Sequence, residues 1–505
     1  MFSRLIKPAL LVMAVFALVW GLVYVYWQST ARMPSTGDVV VWLLAAPLAL
    51  VMAVWGVSKA RASLAGDAAN PASQAAAAKG QGSTGGFRGG TAPGGGQHKT
   101  DADEARFCLS VLASSLRTPG GASVEELAAA VAEGKGAKPD PELKNDAGFP
   151  IFAARIAELE VDDEPRDELA EMPLSMSAGI DVSMLPDDRL RAMQSMRETL
   201  ADLLPRADEA MLAAAPPTPA SDNSTARQRD VPEEPLLRIS LLLPGGWSEQ
   251  ERLLAAQWSQ HTCRSEDPTH EWTVDYVRSE AGTTGWTLLD RVSLALNRES
   301  QKPALWIVMA SESAISDSCV AQWDARGLLF STTRRNGLMP GEASAGLLLT
   351  GAKDVRFASA DAAQVARPAF GQLESSADAS TVSRATMLGA LAGRLAEASA
   401  LEVTAIEWVV SDADHRASRV TEVAKLLQDR LPHVSFDENN LSTGTTCAHM
   451  GAASDFVGLA LACHLAKEHQ THVMVASVSD AFARGAVLVG MPIPPAESAE
   501  KPVSA

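Results

Sequence analysis

The chain has 505 residues, enough for two or three ordinary domains, and its formal net charge at pH 7 is −18. This acidic balance argues against nucleic acid as a partner, because binding to a phosphate backbone requires a basic surface. The five cysteines are scattered without CxxC spacing, which argues against a disulfide framework or a zinc site and fits a reducing compartment.

Two apolar runs stand near the N-terminus. Residues 5–27 are apolar apart from Lys7, and residues 39–57 contain no charged side chain. Each run is long enough to cross roughly 30 Å of hydrocarbon, so residues 1–61 are predicted to form a transmembrane helical hairpin in a lipid bilayer. A cleaved signal peptide is the alternative for the first run, but no small-residue cleavage site follows it.

The basic residues around the two runs predict their orientation. Arg4 and Lys7 precede the first run, Lys59 and Arg61 follow the second, and the short loop between them has only Arg32. Basic residues accumulate on the cytoplasmic side of membrane proteins. We therefore expect a multi-pass protein of a bacterial inner membrane, with both termini and the main domain in the cytoplasm.

Three segments have the composition of linkers. Residues 62–100 are rich in Gly, Ala and Ser and cannot bury enough apolar surface to order themselves, so they are predicted to form a disordered tether. The tail, residues 492–505, has the same character. A Pro- and Ser-rich stretch at about 216–235 is predicted to be a surface insertion within a single domain that spans 101–491.

Within 101–491 the pattern alternates between strands and helices. Short apolar or alternating segments predict strands at 106–114, 236–244, 272–279, 304–310, 405–411, 472–478 and 485–490. Segments with helical periodicity predict helices at 124–134, 187–204, 247–259 (with Ser248 as N-cap), 287–298, 381–399, 418–431 and 452–468. This alternation predicts an α/β domain whose sheets are covered by helices.

Six segments then suggest a family. A strand and Glu cluster, ALWIVMASESA, leads through a loop into a glycine-containing run that includes RRNGLMPGEASAGLLLT. The six segments lie at 116–136, 149–160, 304–314, 325–350, 405–427 and 440–462. In this order they resemble the β-ketoacyl synthase branch of the thiolase-like superfamily. The resemblance implies a thiolase-like fold, layered αβαβα with two related halves. It also implies that Glu342 is structural and that the glycines before it let backbone pack closely at the floor of the active site.

The same resemblance locates the family's catalytic residues, which are a cysteine nucleophile, two histidines and a lysine. The matching positions here are about Thr284 for the cysteine, Ser411 and Ala448 for the histidines, and Thr443 for the lysine. The nucleophile position falls on Thr283, Thr284 or Gly285. All four groups are replaced, so the sequence predicts a catalytically degenerate protein with no catalytic residues of the family type.

Two clusters offer substitutes for the missing groups. Cys447 and His449 could form a relocated nucleophile and base, but residues two apart at a helix start point in different directions, so packing roles are expected. Asp412, Asp414 and His415 could bind a metal or act as acid and base, although a solvated loop is the simpler interpretation. The spacing of the histidines between 464 and 472 does not favour zinc. No cofactor and no metal are therefore expected.

The sequence thus predicts a membrane-anchored, ketosynthase-like scaffold or adaptor. By resemblance it is a homodimer, or a heterodimer with a ketosynthase-like protein, and an accessory role in a bacterial secretion or acyl-chain pathway is left open. One alternative is an active acyltransferase or condensing enzyme of the 3-oxoacyl synthase type, with Cys447 as nucleophile. Another is a non-catalytic binder of an acyl chain or of acyl-carrier protein, although two acidic proteins repel each other.

Overall fold

The computed structural model describes residues 101–159, 163–172, 179–214, 235–299, 302–354, 356–357, 359–379 and 386–492. The predicted transmembrane hairpin, the linker and nearly all of the predicted insertion and tail lie outside these residues. In the part of the chain that is described, no helix is both long enough and apolar enough to cross a membrane.

The first half of the domain runs from residue 101 to β7. Its strands are β1 (Cys108–Arg117), β2 (Lys138–Lys144), β3 (Pro150–Ala153), β4 (Leu236–Leu243), β5 (Thr273–Arg278), β6 (Ala304–Ser313) and β7 (Glu342–Gly351). Its helices are α1 (Asp101–Glu104), α2 (Val124–Ala132), α3 (Asp163–Glu171), α4 (Asp187–Ala213), α5 (Glu249–Glu266), α6 (Thr284–Arg298) and α7 (Asp317–Ala325). Strands β2 and β3 form a separate antiparallel pair.

The second half follows β7. Its strands are β8 (Ala363–Ala366), β9 (Ala369–Gln372), β10 (Ile406–Ser411), β11 (Asn440–Ser442), β12 (His472–Ser477) and β13 (Ala483–Gly490). Its helices are α8 (Thr386–Ala398), α9 (Ala417–Arg430), α10 (Thr443–Cys447) and α11 (Ser454–His469). A short 3-10 turn, Gly451–Ala453, leads into α11.

The two halves repeat one strand order. In the first half the order is β5-β4-β6-β7-β1, and in the second it is β11-β10-β12-β13-β8. The directions match as well, because the first three strands of each order are parallel and the last two pairings are antiparallel. Strand β8 also pairs with β1, which joins the halves into one continuous sheet. The expectation of two related halves is therefore met.

The strands alternate their side chains between two helix layers, as the period of two residues requires. On β6, Leu305 and Ile307 pack with α4 and α5, whereas Trp306 and Val308 pack with α6 and α11. In the second half the outer face packs with α8 and α9 and the inner face again meets α11. The layers are therefore helix, sheet, helix, sheet, helix.

Helix α11 forms the centre of this arrangement. It packs against β1 and β7 of the first half and against β10, β12 and β13 of the second. Nearly all of its side chains are buried, from Phe456 to Ala466. A helix that is apolar on all sides belongs in the interior of a large domain. The burial of α11 by both halves fits that position.

The predicted elements agree with the structure apart from their ends. Helix α4 was expected to end at residue 204, but it continues through Pro205 to Ala213, because Ala207 and Met211 extend its buried face. Ser248 caps α5 as predicted, in a capping box with Glu251. The sequence patterns missed the β2–β3 pair, the short strands β8, β9 and β11, and the helices α1, α3, α7 and α10. Such short segments give no clear periodicity.

Candidate functional site

A cavity of about 960 Å³ opens where segments from both halves meet. Its walls come from the turns after β4 and β5, the end of β6, the loop at 327–338, the segment that leads into α11, and the turn after β12. The carboxyl ends of parallel strands usually carry the sites of α/β proteins, and β4, β5 and β6 all end here. This cavity is the candidate functional site.

Thr284 is the residue matched to the nucleophile, and its hydroxyl forms hydrogen bonds within the turn before α6. Its Oγ1 accepts hydrogen bonds from the N–H groups of Glu280 (3.2 Å) and Ala281 (3.1 Å), and donates to the carbonyl of Ala281 (2.7 Å). The hydroxyl thus holds the start of α6 in place. No imidazole, amine or carboxylate contacts it among the described residues, so its geometry supplies no base for activation.

The next residue, Gly285, lies directly against a side chain of α11. A Cβ built there would lie 2.4 Å from Oδ2 of Asp455, on the first turn of α11. Burial, with the nearby charges of Asp412 and Asp480, raises the pKa of Asp455 well above its usual range. The carboxyl group of Asp455 therefore fills the space between the starts of α6 and α11.

The other three matched positions carry no acid–base group of the family type. The hydroxyl of Thr443 donates to the carbonyl of Ser411 at 3.1 Å, and the hydroxyl of Ser411 lies 3.2 Å from that of Ser442. Ala448 is buried and has a φ of 57°, a conformation uncommon for a residue other than glycine. The structure thus brings two of these positions into contact, but their side chains offer only hydroxyls and a methyl group.

Cys447 and His449 lie in different surroundings. Cys447 is fully buried, near Thr118 and Gly120 at the end of β1, and burial raises the pKa of its thiol to about 12. A thiol in this state is a poor nucleophile. His449 lines the cavity, with its ring edge-on to Trp323 at 5.3 Å between centroids. The thiol is not among the described residues that line the cavity, so the two side chains do not form a pair there.

The interpretation of residues 412–415 as a solvated loop is wrong for both aspartates. Asp412 is buried and accepts hydrogen bonds from Ser454 Oγ, Ser477 Oγ, the N–H of Val478, and both the N–H and Oγ of Ser479. Asp414 is buried against Arg416, whose guanidinium overcomes the effect of burial and holds the pKa of this carboxyl below its usual range. Both carboxylates connect chain segments, and neither is free to bind a metal.

Glu342 is expected to be structural. Its side chain is 2% exposed, and both carboxylate oxygens have hydrogen-bond partners. It forms a two-bond ion pair with Arg191 of α4, at 2.6 and 2.8 Å. It also accepts from the N–H of Ile156 (2.7 Å) and the hydroxyl of Ser313 (2.8 Å). Just before it, a Cβ on Gly341 would lie 2.1 Å from the carbonyl oxygen of Cys447, so the backbones pack closely as the glycine run suggested.

Glu312 is the residue that the sequence reasoning overlooked. It lies near the end of β6, lines the cavity, and accepts a hydrogen bond from the N–H of Ala452 at 2.6 Å. Burial raises its pKa to about 7, against the opposing effects of that hydrogen bond and of Arg189. The signal was a carboxylate at the end of an otherwise apolar strand, and such groups often mark functional sites.

One cluster away from the cavity lining has the residue types of a metal site. Ligand atoms of Asp208, Asp267 and His270 lie within 4.8 Å of one another. The carboxylate of Asp267 is already used by Trp272 Nε1 (2.7 Å) and Thr269 Oγ1 (2.9 Å), and His270 bridges the two acids. These contacts are explained by the packing of α4 against the segment after α5.

No protein-family model matches the chain, and no curated protein does either. Solved ketosynthases share its fold. The ketosynthase from module 6 of the bacillaene synthase of Bacillus subtilis 168 is 12% identical, with a TM-score of 0.50 over 77% of this chain and 72% of that chain. The oxazolomycin ketosynthase domain of Streptomyces albus JA3453 is also 12% identical, with a TM-score of 0.50 over 77% of this chain and 74% of that chain.

A third similar structure is a type II PKS acyl-carrier protein in complex with its ketosynthase bound to the hexaketide, AntDE:AntF. It is 10% identical, with a TM-score of 0.50 over 77% of this chain and 100% of that chain. At such identities the likeness concerns the fold and not the chemistry. Together with the repeated strand order and the five layers, it shows that the described residues have a mixed α/β fold that matches the thiolase-like ketosynthases.

Proposed function

We propose that this chain is a membrane-anchored, catalytically inactive relative of the ketosynthases that acts as a scaffold or binding partner. The observation that carries this proposal is the contact between Gly285 and Asp455. The carboxyl group of Asp455 fills the space beside the start of α6, where the family resemblance places its nucleophile. A fold retained without its chemistry commonly serves as a binding surface, which is an argument by analogy.

The edge of the first half supports a role in protein pairing. Strand β5 pairs with β4, and its other edge has no partner strand within the described residues. Exposed edges of this kind are templates for pairing with another chain. A second copy, or a related ketosynthase-like chain, would cover this edge.

Acyl-carrier protein is a second candidate partner. One structural neighbour is a complex between a ketosynthase and its acyl-carrier protein. The cavity of this chain opens beside the exposed Arg334 and Arg335, which would offset part of the overall acidity. Because the likeness extends only to the fold, this partner rests on analogy.

Incubation of the full-length protein with acyl thioesters and carrier-bound acyl chains, followed by intact mass, tests the inactive state. We expect no covalent adduct, since Cys447 is buried and Thr284 has no base. The same preparation under native conditions should show a mass twice that of one chain, or a heterodimer when a ketosynthase-like partner is present. A covalent adduct that disappears in Cys447→Ala would mean that the chain is an enzyme.

A cysteine restored at the start of α6 should not rescue acylation. Gly285→Cys places a side chain against Asp455, and overpacking of this kind typically costs about 1–3 kcal/mol. The double variant Gly285→Cys with Asp455→Ala should regain part of that stability, yet still form no adduct, because no base is added. Thermal melting and intact mass measure the two effects. Acylation of the single variant would show that the space is free after all.

The proposed location is a bacterial inner membrane, with the domain in the cytoplasm, and it rests on the basic residues that flank the two apolar runs. A cysteine introduced into the linker at residues 62–100 should resist a membrane-impermeant maleimide in intact cells and react after lysis. A second cysteine, placed in the loop between the apolar runs near Arg32, should react in intact cells. Labelling of the linker cysteine in intact cells would contradict this orientation and place the domain outside the cytoplasm.

A further inference from the structure

A second cavity, of about 290 Å³, lies where the described part of the chain begins and ends. Residues 105–108, at the start of β1, form one wall, and residues 488–491, at the end of β13, form another. Residues 398–401, at the end of α8, form a third. None of the residues that line this terminal groove lines the candidate functional site, so the two are separate.

The terminal groove is lined mainly by apolar side chains. Phe107 and Leu488 are each 3% exposed and close its floor. Ala366, Leu401 and Met491 pack against the cores but keep part of their surface exposed in the groove. Apolar surface that is left exposed in one place indicates a binding surface, because covering it removes the surface from water.

The C-terminal tail leaves the domain from within this groove. Gly490 still pairs with Gln364 of β8, and the next residue, Met491, lines the groove. A Cβ on Gly490 would lie 2.4 Å from Cδ2 of His472, so the backbone passes directly against this ring on its way out. The residues that follow Pro492 therefore start beside the exposed apolar surface.

The sequence of the tail suits such a surface. Its first large apolar side chain is Ile493, which stands between Pro492 and Pro494. A proline fixes its own φ, and Pro494 also restricts Ile493 to extended conformations, so little conformational freedom remains to be lost on binding. Two residues span at most about 7 Å, so Ile493 cannot leave the neighbourhood of Met491.

The charges at the rim of the groove complement those of the tail. Arg106 is exposed and forms no ion pair within the described residues, since Glu104 of α1 pairs with Arg298 instead. The exposed Lys353 adds a second positive charge near the groove. The first charged residue of the tail is Glu497, four residues beyond Ile493. A basic rim in a chain with a net charge of −18 therefore meets an acidic segment.

We propose that residues 493–497 of the same chain dock in the terminal groove, with Ile493 against Phe107 and Leu401 and with Glu497 beside Arg106. The composition of the tail predicts that it does not fold by itself, and such a segment can still bind a preformed surface. The docked tail covers the thiol of Cys108 and fastens the end of the last strand to the start of the first. This surface is separate from the candidate functional site, so the proposal does not depend on the scaffold function.

The half-buried thiol of Cys108 reports whether the groove is covered. Its alkylation by N-ethylmaleimide in the full-length protein is followed by peptide mass spectrometry, with the half-buried Cys319 of α7 as internal reference. Truncation after Pro492 and the variant Ile493→Ser should each speed the alkylation of Cys108 roughly tenfold, because the groove loses a segment held at high local concentration. Val503→Ser, a matched change further along the tail, should react like the unmodified protein. Equal rates for all four proteins would overturn the proposal.

A second measurement does not rely on the thiol. A photoactivated diazirine side chain at position 493 should form crosslinks within one chain, to peptides that contain Phe107 or Leu401, and the same probe at position 503 should give roughly tenfold fewer. Glu497→Arg should lower the yield about threefold, and Arg106→Glu in the same chain should restore it, because the pair of charges is then reversed. Crosslinks between two chains would assign the groove to the tail of a second copy. That result, or crosslinks to other surfaces only, would refute docking of the chain's own tail.

Discussion

Replacing Arg191 with methionine is expected to lower the free energy of unfolding by about 3–5 kcal/mol. Its guanidinium is 6% exposed and carries the two-bond ion pair with Glu342, and it also donates to the carbonyls of Ile156 and Leu159. Removal of the cation leaves a carboxylate buried without its charge partner. This single contact joins α4, β7 and the segment after β3, so its loss should destabilise the packing of the first half of the domain.

A matched control lies on the same helix. Arg206 pairs with Glu209, but both side chains are more than half exposed. Exposed ion pairs contribute little because water and salt screen them, so Arg206→Met should change the stability by less than about 1 kcal/mol. Urea unfolding followed by tryptophan fluorescence measures both variants. The double variant Arg191→Met with Glu342→Gln should recover part of the loss, since the buried charge is then gone. Equal costs for Arg191→Met and Arg206→Met would contradict the role given to the buried pair.

Two neighbouring aspartates are expected to respond in opposite directions to the same substitution. Asp412→Asn should destabilise the protein by about 2–4 kcal/mol, because its carboxylate accepts five hydrogen bonds and an amide would turn a donor toward some of those donors. The loss would fall where the segments after β10 and β12 meet the start of α11.

Asp455→Asn should instead stabilise the protein at pH 8. Burial raises the pKa of Asp455 in the folded state, so this acid favours folding most at a pH below its unfolded pKa. That contribution is lost as the pH rises from the unfolded pKa toward the folded one. An asparagine stays neutral throughout, so its advantage over aspartate should grow from pH 4 to pH 8. Melting temperatures across this range measure the difference.

Both variants make the same chemical change, at two buried carboxyl groups close enough for the charge of Asp412 to raise the pKa of Asp455. Asp412→Asn should melt lower than the unmodified protein at pH 8, and Asp455→Asn should melt higher. If both melt lower at every pH, Asp455 is ionised and paired in the folded protein, and the space beside Gly285 is not filled by a neutral acid.

Much of the fold could be predicted from local patterns. Strand β6 is a nearly uninterrupted apolar run, and α6 and α9 show helical periodicity, because burial on one or both faces leaves a direct trace in the order of side chains. The capping of α5 by Ser248 is likewise a local signal. The element pattern indicated an α/β domain, and the resemblance of six segments to the β-ketoacyl synthases implied the thiolase-like arrangement.

The chemistry of the cavity depends on contacts between residues distant in the sequence. Gly285 and Asp455 are far apart in the sequence, and no local pattern shows that a carboxyl group of α11 fills the space at the start of α6. Asp412 and Asp414 have the composition of a solvated loop, but their partners from residues 454 to 479 and Arg416 bury them. Charge and burial of a side chain depend on what surrounds it in space.

Cys447, His449 and Glu312 also show the difference between what the local sequence indicates and what the packing of distant segments decides. The sequence identified the first two as a nearby pair and suggested that side chains two residues apart would diverge. Their surroundings, a buried turn for the thiol and the cavity wall for the imidazole, come from β1 and α7, which are remote in the chain. The sequence therefore determined which elements form and in what order they succeed one another. The packing of those elements determined which groups meet and which of them carry a charge, because desolvation acts only after distant segments have come together.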